Sequence, residues 1–431
     1  MSYKLIFIFL ISVSKLYASS CEVDQTKLFC ANPLEYICKD ADKVKQENLD
    51  SNISSIKGQA ARHFYEKNKE LLQRHGVFDL SAASMEKIRD LLIQCHETQA
   101  EMEGLCEESL FLGIDIRKVY ASAAATGDDS GFWSGFNQQL KDQYQDYLDE
   151  LIVKNEEVLR DIGKGVLGHF QDAMVDQIKS YYQNRPRSAA VKIKNLKRKL
   201  KNVYFIFSRR SPEIRHFSHE IKLKIIRFYN VACRSMADGD NAFVFNDRDT
   251  RKKVVVMCPG AYLRQGLSDV QNFNATEIAP RILSVFTHEF AHILNSRKNK
   301  RSFIVDNFPY RLRSCHQTWY DLPEDVSKNY NRYYKEIEAD VLGNLALGKM
   351  LRSESFSSVS KERKLDIIKR SYGIFCNKPG GKSHPPGNFR IEKLMFRTPD
   401  IFNEFGCHRV YKDKVMMGCG LDGSRALYLF F

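Results

Sequence analysis

The chain has 431 residues, of which 43% are hydrophobic, 28% are charged and 12% are aromatic. These proportions exclude a disordered or fibrous protein and supply enough apolar material for two hydrophobic cores. The formal net charge of +13 is partly local, because eleven basic residues accompany a single acid, Glu213, between Arg185 and Arg215.

Residues 1–20 have the three parts of a secretory signal peptide. Lys4 precedes an apolar run from Leu5 to Val13, and small residues follow at Ala18 to Ser20. A run of about ten apolar residues is too short to cross a bilayer core, which needs about twenty. We therefore expect export to a periplasm or secretion, with lipid anchoring at Cys21 as a minor alternative.

The eleven cysteines are expected to form disulfide bonds, because an oxidising compartment lets them persist. Five lie in the first half of the chain and six in the second. Without Cys21 both counts are even, so each half could be bridged internally. The spacing does not determine which cysteines pair.

Residues 21–184 are expected to form a helical accessory domain. Between residues 140 and 181 the apolar side chains recur mainly at steps of three and four, which is the period of an amphipathic helix. No catalytic pattern occurs in this part of the chain. This domain could shield the second half of the chain or recruit other molecules to it.

Residues 185–201 are predicted to form a basic linker, because the composition changes there around Pro186. A nucleic-acid surface would need a recognition module or stacking aromatic residues, and we find neither. A solvated helix or linker attracted to anionic surfaces is favoured. We expect no nucleic-acid partner, and a peripheral contact with an anionic membrane surface is one consequence of the charge.

Residues 202–431 are predicted to form a second domain of α+β class. Three short runs rich in β-branched and aromatic residues predict a small sheet, and helical patterns follow them. The three runs are Val203 to Phe207, Ala242 to Phe245, and Val254 to Met257.

The second domain contains an H-E-x-x-H pattern at His288, Glu289 and His292. It falls in a predicted helix from Pro280 to Asn295 that would begin at the proline. Four residues make about one helical turn, so both histidines can reach one metal ion from the same face. Glu289 lies beside them, where it can accept a proton from a water molecule.

A third metal ligand is predicted on a second helix. Catalytic zinc usually has three protein ligands, and Glu336 lies in the helical segment Tyr334 to Asp340. Asp340 follows one turn later, where it can accept a hydrogen bond from a ligand histidine. The sequence therefore predicts one zinc ion held by His288, His292 and Glu336.

The order of these motifs resembles the gluzincin zinc metallopeptidases of the HtpX and CAAX prenyl protease family. H-E-x-x-H is followed by E-x-E-A-D at 336–340, then by two shorter motifs, and an N-A-F strand precedes them. The additional matching residues are His384-Pro385-Pro386, Arg390-Ile391, and Asn241, Ala242 and Phe243. The resemblance spans roughly residues 238 to 395.

The resemblance implies a gluzincin-type domain and a zinc-dependent endopeptidase acting on polypeptides. It implies that His384 and Arg390 stabilise an oxyanion and that Asn241, Ala242 and Phe243 bind an extended substrate strand. The expected substrates are extracytoplasmic proteins, including unfolded or misassembled ones. The membrane-embedded relatives surround the site with transmembrane helices, which this sequence does not predict.

Two alternatives remain open from the sequence. The zinc site could be structural in a non-catalytic, chaperone-like protein that acts through its helical domain. The helical domain could instead be a latency segment that is released by cleavage at the basic stretch.

Overall fold

The computed structural model describes residues 25–39, 69–74, 145–233, 242–263, 267–294, 322–407, 417–419 and 425–427, with single residues and short pieces between 47 and 66. These residues fall into two compact units. One unit holds the chain up to residue 49 and from residue 155 onwards, and the other holds residues 50–154. The predicted signal peptide, Cys21 and Asn241 lie outside the described residues.

The described elements are mostly helices, with one three-stranded sheet and a separate strand pair. In chain order they are α1 (Gln25–Ala31), α2 (Pro33–Cys38), α3 (Lys69–Arg74, in the smaller unit), α4 (Glu156–Tyr181), α5 (Pro186–Lys199), β1 (Val203–Ile206), α6 (His219–Ala232), β2 (Ala242–Asn246), β3 (Lys253–Met257), α7 (Gly260–Leu263), α8 (Ala275–Leu294), α9 (Glu324–Leu351), α10 (Lys361–Tyr372), α11 (Gly387–Phe389), α12 (Pro399–Glu404), β4 (Met417–Cys419) and β5 (Arg425–Leu427). A π-helical turn spans Arg390–Met395. In the described part of the chain, no helix combines the length and the apolar character needed to cross a membrane.

The three predicted strands form one sheet in the order β1, β3, β2. Strand β1 runs parallel to β3, whereas β2 runs antiparallel to it. The central strand β3 is rich in valine, and its residues Val254 to Met257 are buried. Valine is favoured there because a branched side chain packs well on a pleated surface that is covered on both sides. The α+β class is confirmed.

Helices cover both faces of the sheet. Alternate residues of a strand point to opposite faces, and Val254 and Val256 pack in one cluster with Ile221 and Ile225 of α6. On the opposite face, Phe205 of β1 contacts the rings of two phenylalanines of α8. The sheet therefore holds α8 on one side and α6 on the other.

The predicted domain boundaries differ from the arrangement in the structure. Helix α4 belongs to the larger unit, where Phe170 contacts Phe290 of α8 with ring centroids 5.7 Å apart. The predicted linker 185–201 contains helix α5, which has a proline at its first position and buries Ala189 and Leu196. The accessory helix and the basic segment thus pack with the elements that follow residue 202.

Disulfide bonds join the two ends of the larger unit. Cys30 pairs with Cys407, and Cys38 pairs with Cys376. The interpretation that each half is bridged internally is therefore wrong for these four cysteines. Among the described cysteines, the remaining bridge joins Cys233 to Cys258 within the second half.

Aromatic packing explains why the N-terminal helices reach the C-terminal region. Phe29 of α1 is fully buried, and its ring lies 5.6 Å from that of Phe396 and 5.1 Å from that of Phe405. These contacts join residues that are more than 360 positions apart, so no local pattern in the sequence indicates them. The cluster brings Cys30 next to its partner.

Replacing Cys38 and Cys376 together with alanine should lower the free energy of unfolding by about 2 to 4 kcal/mol. The remaining Cys30–Cys407 bridge confines the ends, so the lost bridge closes a ring made only of segments 30–38 and 376–407. Urea unfolding without reductant measures the change. The two proteins should differ far less in the presence of a thiol reductant, and equal midpoints without reductant would contradict the prediction.

Candidate metal centre

Helix α8 presents two different faces to its neighbours. Phe286 and Phe290 stack on each other and face the sheet through Phe205. His288 and His292 lie two residues further along, which rotates them by about 200° to the other side of the helix. The sheet therefore fixes which way the histidines point.

Helix α8 begins at Ala275, five residues before the predicted start at Pro280. The correction has a local cause, because Asn274 caps the helix. Its side-chain oxygen accepts a hydrogen bond from the Thr276 amide at 2.9 Å, and its carbonyl accepts from the amides of Glu277 and Ile278. The Asn274 cap, and not Pro280, therefore determines where helix α8 begins.

Helix α9 supplies the third side chain and approaches α8 closely at one glycine. A Cβ atom on Gly343 would lie 3.1 Å from the His288 amide nitrogen and 3.2 Å from the Thr287 carbonyl carbon. Glycine favours this approach, because a Cβ atom would crowd the α8 backbone and the Thr287 hydroxyl, which would have to shift by a few tenths of an ångström. The glycine lies three residues after Asp340, so it sets the distance between the two halves of the site.

Three candidate ligand atoms converge between these helices. His288 Nε2 lies 3.1 Å from Glu336 Oε2 and 3.0 Å from His292 Nε2, and His292 Nε2 lies 3.3 Å from the same carboxylate oxygen. Ligand atoms bonded to a tetrahedral zinc at about 2.0 to 2.1 Å lie about 3.3 Å from one another. The donor set, two imidazoles and one carboxylate, is also one that zinc prefers. The residues therefore fit a zinc ion.

A buried hydrogen-bonded chain holds His288 from behind. Its Nδ1 lies 2.8 Å from Asp340 Oδ1, and Arg390 Nε donates to Asp340 Oδ2 at 2.7 Å. The predicted contact between Asp340 and a ligand histidine is thus present in the structure. Arg390 also lies over the ring of Phe375, at 3.8 Å from its centroid, which restricts the guanidinium further.

Neighbouring charges and hydrogen bonds oppose the effect of burial on the pKa values of Asp340 and Glu336. Burial alone would raise the pKa of Asp340, but Arg390 and His288 outweigh it and lower that pKa. Burial would also raise the pKa of Glu336, yet hydrogen bonds from His288, His292 and His384 lower it well below the ordinary value. Both carboxylates are therefore ionised at neutral pH.

The pKa of His288 is raised, whereas those of the two carboxylates are lowered. Burial lowers its pKa, but the charge of Asp340 and the hydrogen bonds to Asp340 and Glu336 raise it to about 10. In the metal-free site the imidazole therefore holds a second proton at neutral pH. That proton has to leave before Nε2 can bind a cation.

His384 reaches the same carboxylate from a loop. Its Nε2 lies 3.0 Å from Glu336 Oε2, and 54% of its side chain is exposed. The loop is closed by backbone hydrogen bonds from Gly381 to the His384 carbonyl and from Gly387 to the Lys378 carbonyl, each 2.9 Å long. The imidazole therefore stands at the solvent side of the cluster.

Glu289 is buried beside the two histidines of α8. One of its carboxylate oxygens lies within 4.8 Å of a ring nitrogen of each of them. A water molecule bound between these groups would lie within reach of that oxygen. Glu289 and Glu336 thus each lie close to both histidines, one on each helix.

Two of the remaining predicted residues, Ala242 and Phe243, lie on strand β2, whereas Asn241 lies outside the described residues. This strand pairs only with β3 among the described elements, so its other edge is open in this part of the structure. Ala242 and Phe243 lie at its start, and 38% of Phe243 is exposed. β2 also packs against α8. The edge position is the one that addition of an extended peptide strand requires.

Sequence reasoning missed two contributors to the site. Gly343 could have been noticed, because an interior glycine shortly after Asp340 breaks an otherwise favourable helical pattern. Phe375 has no signal in the sequence, since its contact with Arg390 depends on the fold of the segment that follows α10. The structure also gives Arg390 a bond to Asp340 that the sequence reading did not include, while its role at an oxyanion stays a prediction.

Comparison of the chain with protein-family models, curated proteins and solved structures found no match.

Replacing Gly343 with alanine should lower the affinity for added zinc roughly tenfold to a hundredfold, because the methyl group pushes α9 away from His288. Gly168→Ala on α4 is the matched control, since nothing lies within 4 Å of its added Cβ. The control should raise the free energy of unfolding by about 0.5 to 1 kcal/mol without changing zinc affinity. Equal behaviour of the two variants would show that the close approach does not matter.

Zinc binding at pH 7 should release about one proton from the site, because His288 is protonated when the metal is absent. Apparent zinc affinity should accordingly rise with pH up to the pKa of about 10. Calorimetry in two buffers with different protonation enthalpies measures the release. In Asp340→Asn the pKa of His288 should fall and fewer protons should be released; a release near zero in the unaltered protein would refute the assignment.

Proposed function

We propose that the chain is a zinc-dependent endopeptidase that hydrolyses peptide bonds of extracytoplasmic proteins. The observation that supports this best is the convergence of His288, His292 and Glu336 beside the buried carboxylate of Glu289. Three protein ligands with a further acid beside them are the composition of a catalytic zinc site, which keeps its fourth position for water. The motif order supports a relationship to the HtpX and CAAX prenyl protease family of gluzincins.

Zinc, when bound, supplies Lewis-acid polarisation of a carbonyl and lowers the pKa of a water molecule. His288, His292 and Glu336 would hold the ion. Asp340 keeps the proton of His288 on Nδ1, so that the lone pair of Nε2 faces the other two ligand atoms. Arg390 in turn keeps Asp340 ionised and oriented.

Glu289 acts as the general base in this proposal. Its carboxylate takes a proton from the attacking water and later delivers it to the amine of the leaving peptide. The carboxylate is buried beside both histidines, where it would be within reach of a water molecule on the metal. The same group therefore serves both proton transfers.

His384 is placed to assist where negative charge develops on the scissile carbonyl. Its exposed imidazole stands on the solvent side of Glu336 and can donate from Nε2 once the substrate enters. Arg390 is buried and bonded to Asp340. Of the two residues proposed to stabilise the oxyanion, His384 is the more accessible to a substrate. Arg390 would act on the site through its hydrogen bond to Asp340.

The substrate would bind as an added strand on the edge of β2 that is unpaired among the described elements, and β2 packs against α8. Backbone hydrogen bonds supply most of the affinity in this mode, so flexible or unfolded chains bind best. Exposed Phe243 would contact a substrate side chain. The three disulfides among the described cysteines support an oxidising compartment, and export to a periplasm or secretion is part of the proposal.

Glu289→Gln in the full chain should retain one zinc ion per protein and lose peptide cleavage by a factor of about 10² to 10⁴. An unfolded casein-like protein is the substrate, and metal analysis measures the zinc. Glu277→Gln on the same helix is the control, because Glu277 contacts the Ser268 amide and lies outside the metal cluster. Undiminished cleavage by Glu289→Gln would refute the assigned mechanism.

Removal of zinc by a chelator distinguishes the proposed endopeptidase from a non-catalytic zinc protein. The unaltered protein should stop cleaving after zinc is removed and should recover when zinc is added back. A zinc-loaded chain that cleaves neither unfolded nor folded polypeptides would favour a non-catalytic, chaperone-like protein.

A further inference from the structure

Helix α5 has one face against the protein and a strongly cationic face opposite to it. Ala189 and Leu196 are buried. Arg187, Val191, Lys194 and Arg198 are exposed and follow one another at steps of four, three and four residues. At 3.6 residues per turn these four side chains form one stripe, about 16 Å long. We call it the α5 stripe.

The positive charge of the α5 stripe is not explained by ion pairs among the described residues. Within the described part of the chain, no carboxylate lies within ion-pair distance of Arg187, Lys194 or Arg198. Cations in the last turn stabilise a helix through its dipole, which accounts for Arg198. Arg187 lies in the first turn, where a positive charge is unfavourable, and no acid accompanies it there. Helix stability therefore does not explain the stripe.

An apolar residue interrupts the cations at the centre of the stripe. Val191 is 59% exposed and lies one turn from Arg187 and about one turn from Lys194. Cations that flank an apolar side chain fit the boundary between lipid headgroups and acyl chains. A nucleic-acid site would instead offer aromatic rings to the bases, and the stripe has none. We propose that the α5 stripe docks on the surface of a bilayer that contains anionic phospholipids.

The position of α5 links this surface to the metal cluster. Lys199, on the side of α5 that faces the protein, donates from Nζ to the Leu294 carbonyl at 2.8 Å. Leu294 is the last residue of α8 and lies two residues after His292. The helix that carries the stripe therefore contacts, through its opposite face, the end of the helix that bears both histidines. Docking does not depend on peptidase activity, and it is tested separately from the proposed function.

The test is co-sedimentation of the full chain with vesicles of phosphatidylcholine, either pure or with about one-third phosphatidylglycerol. We expect binding only to the anionic vesicles, and binding should weaken as salt is added because the attraction is screened. Each basic residue near such a surface contributes about fivefold. Arg187→Gln with Lys194→Gln and Arg198→Gln should therefore reduce binding roughly a hundredfold.

Two further variants make the result specific. The control replaces Arg215, Arg227 and Lys361 with glutamine, which removes the same charge from exposed positions outside α5 and should change binding far less. Val191→Ser should reduce binding a few-fold, since it removes apolar burial without changing the charge. Thermal unfolding confirms that each variant is folded.

Three outcomes would overturn the proposal. One is the absence of binding to anionic vesicles, and another is an equal loss in the stripe and control variants. The third is stripe-dependent binding to a duplex oligonucleotide without binding to vesicles, which would assign the stripe to a nucleic acid.

Discussion

The close packing of α8 against α9 at Gly343 is the constraint on which the site depends. Helix α8 carries His288, Glu289 and His292, and helix α9 adds Glu336 and Asp340. The missing side chain at Gly343 lets the backbone of α9 reach the His288 amide, so that Glu336 and Asp340 approach the same imidazole from two sides.

Burial gives these contacts their strength. Asp340 and the imidazole of His288 are shielded from water, so the charges of Arg390, Asp340 and Glu336 act over short distances in a medium of low polarity. The result is a buried chain of alternating charge that ends at the exposed ring of His384. Such a chain orients the ligand atoms before any cation arrives, and preorganisation of this kind is what a catalytic site requires.

The parts of the larger unit that lack catalytic groups still act on the site through packing. The sheet holds α8 by its phenylalanine face, and the Cys38–Cys376 bridge anchors the chain just before the loop that carries His384. Helix α5 rests against the end of α8 through Lys199. Helices α1, α2, α4 and α5 are therefore structural components of the same unit as the metal cluster, and α5 adds an outward surface of its own.

Local spacing determined much of this protein from its sequence. The four-residue steps from His288 to His292 and from Glu336 to Asp340 each set two side chains on one helical face. The runs rich in β-branched and aromatic residues predicted the strands within a residue or two. The start of α8 was mispredicted, since two local signals competed and the Asn274 cap was the stronger.

Only the tertiary structure decided which distant residues meet. The Cys30–Cys407 and Cys38–Cys376 bridges, the packing of Phe29 and the bond from Arg390 to Asp340 all join segments that are tens to hundreds of residues apart. Periodicity reports how a residue faces within its own helix or strand. It contains no information on which of several apolar faces pack together, because that choice depends on the shapes and volumes of whole elements.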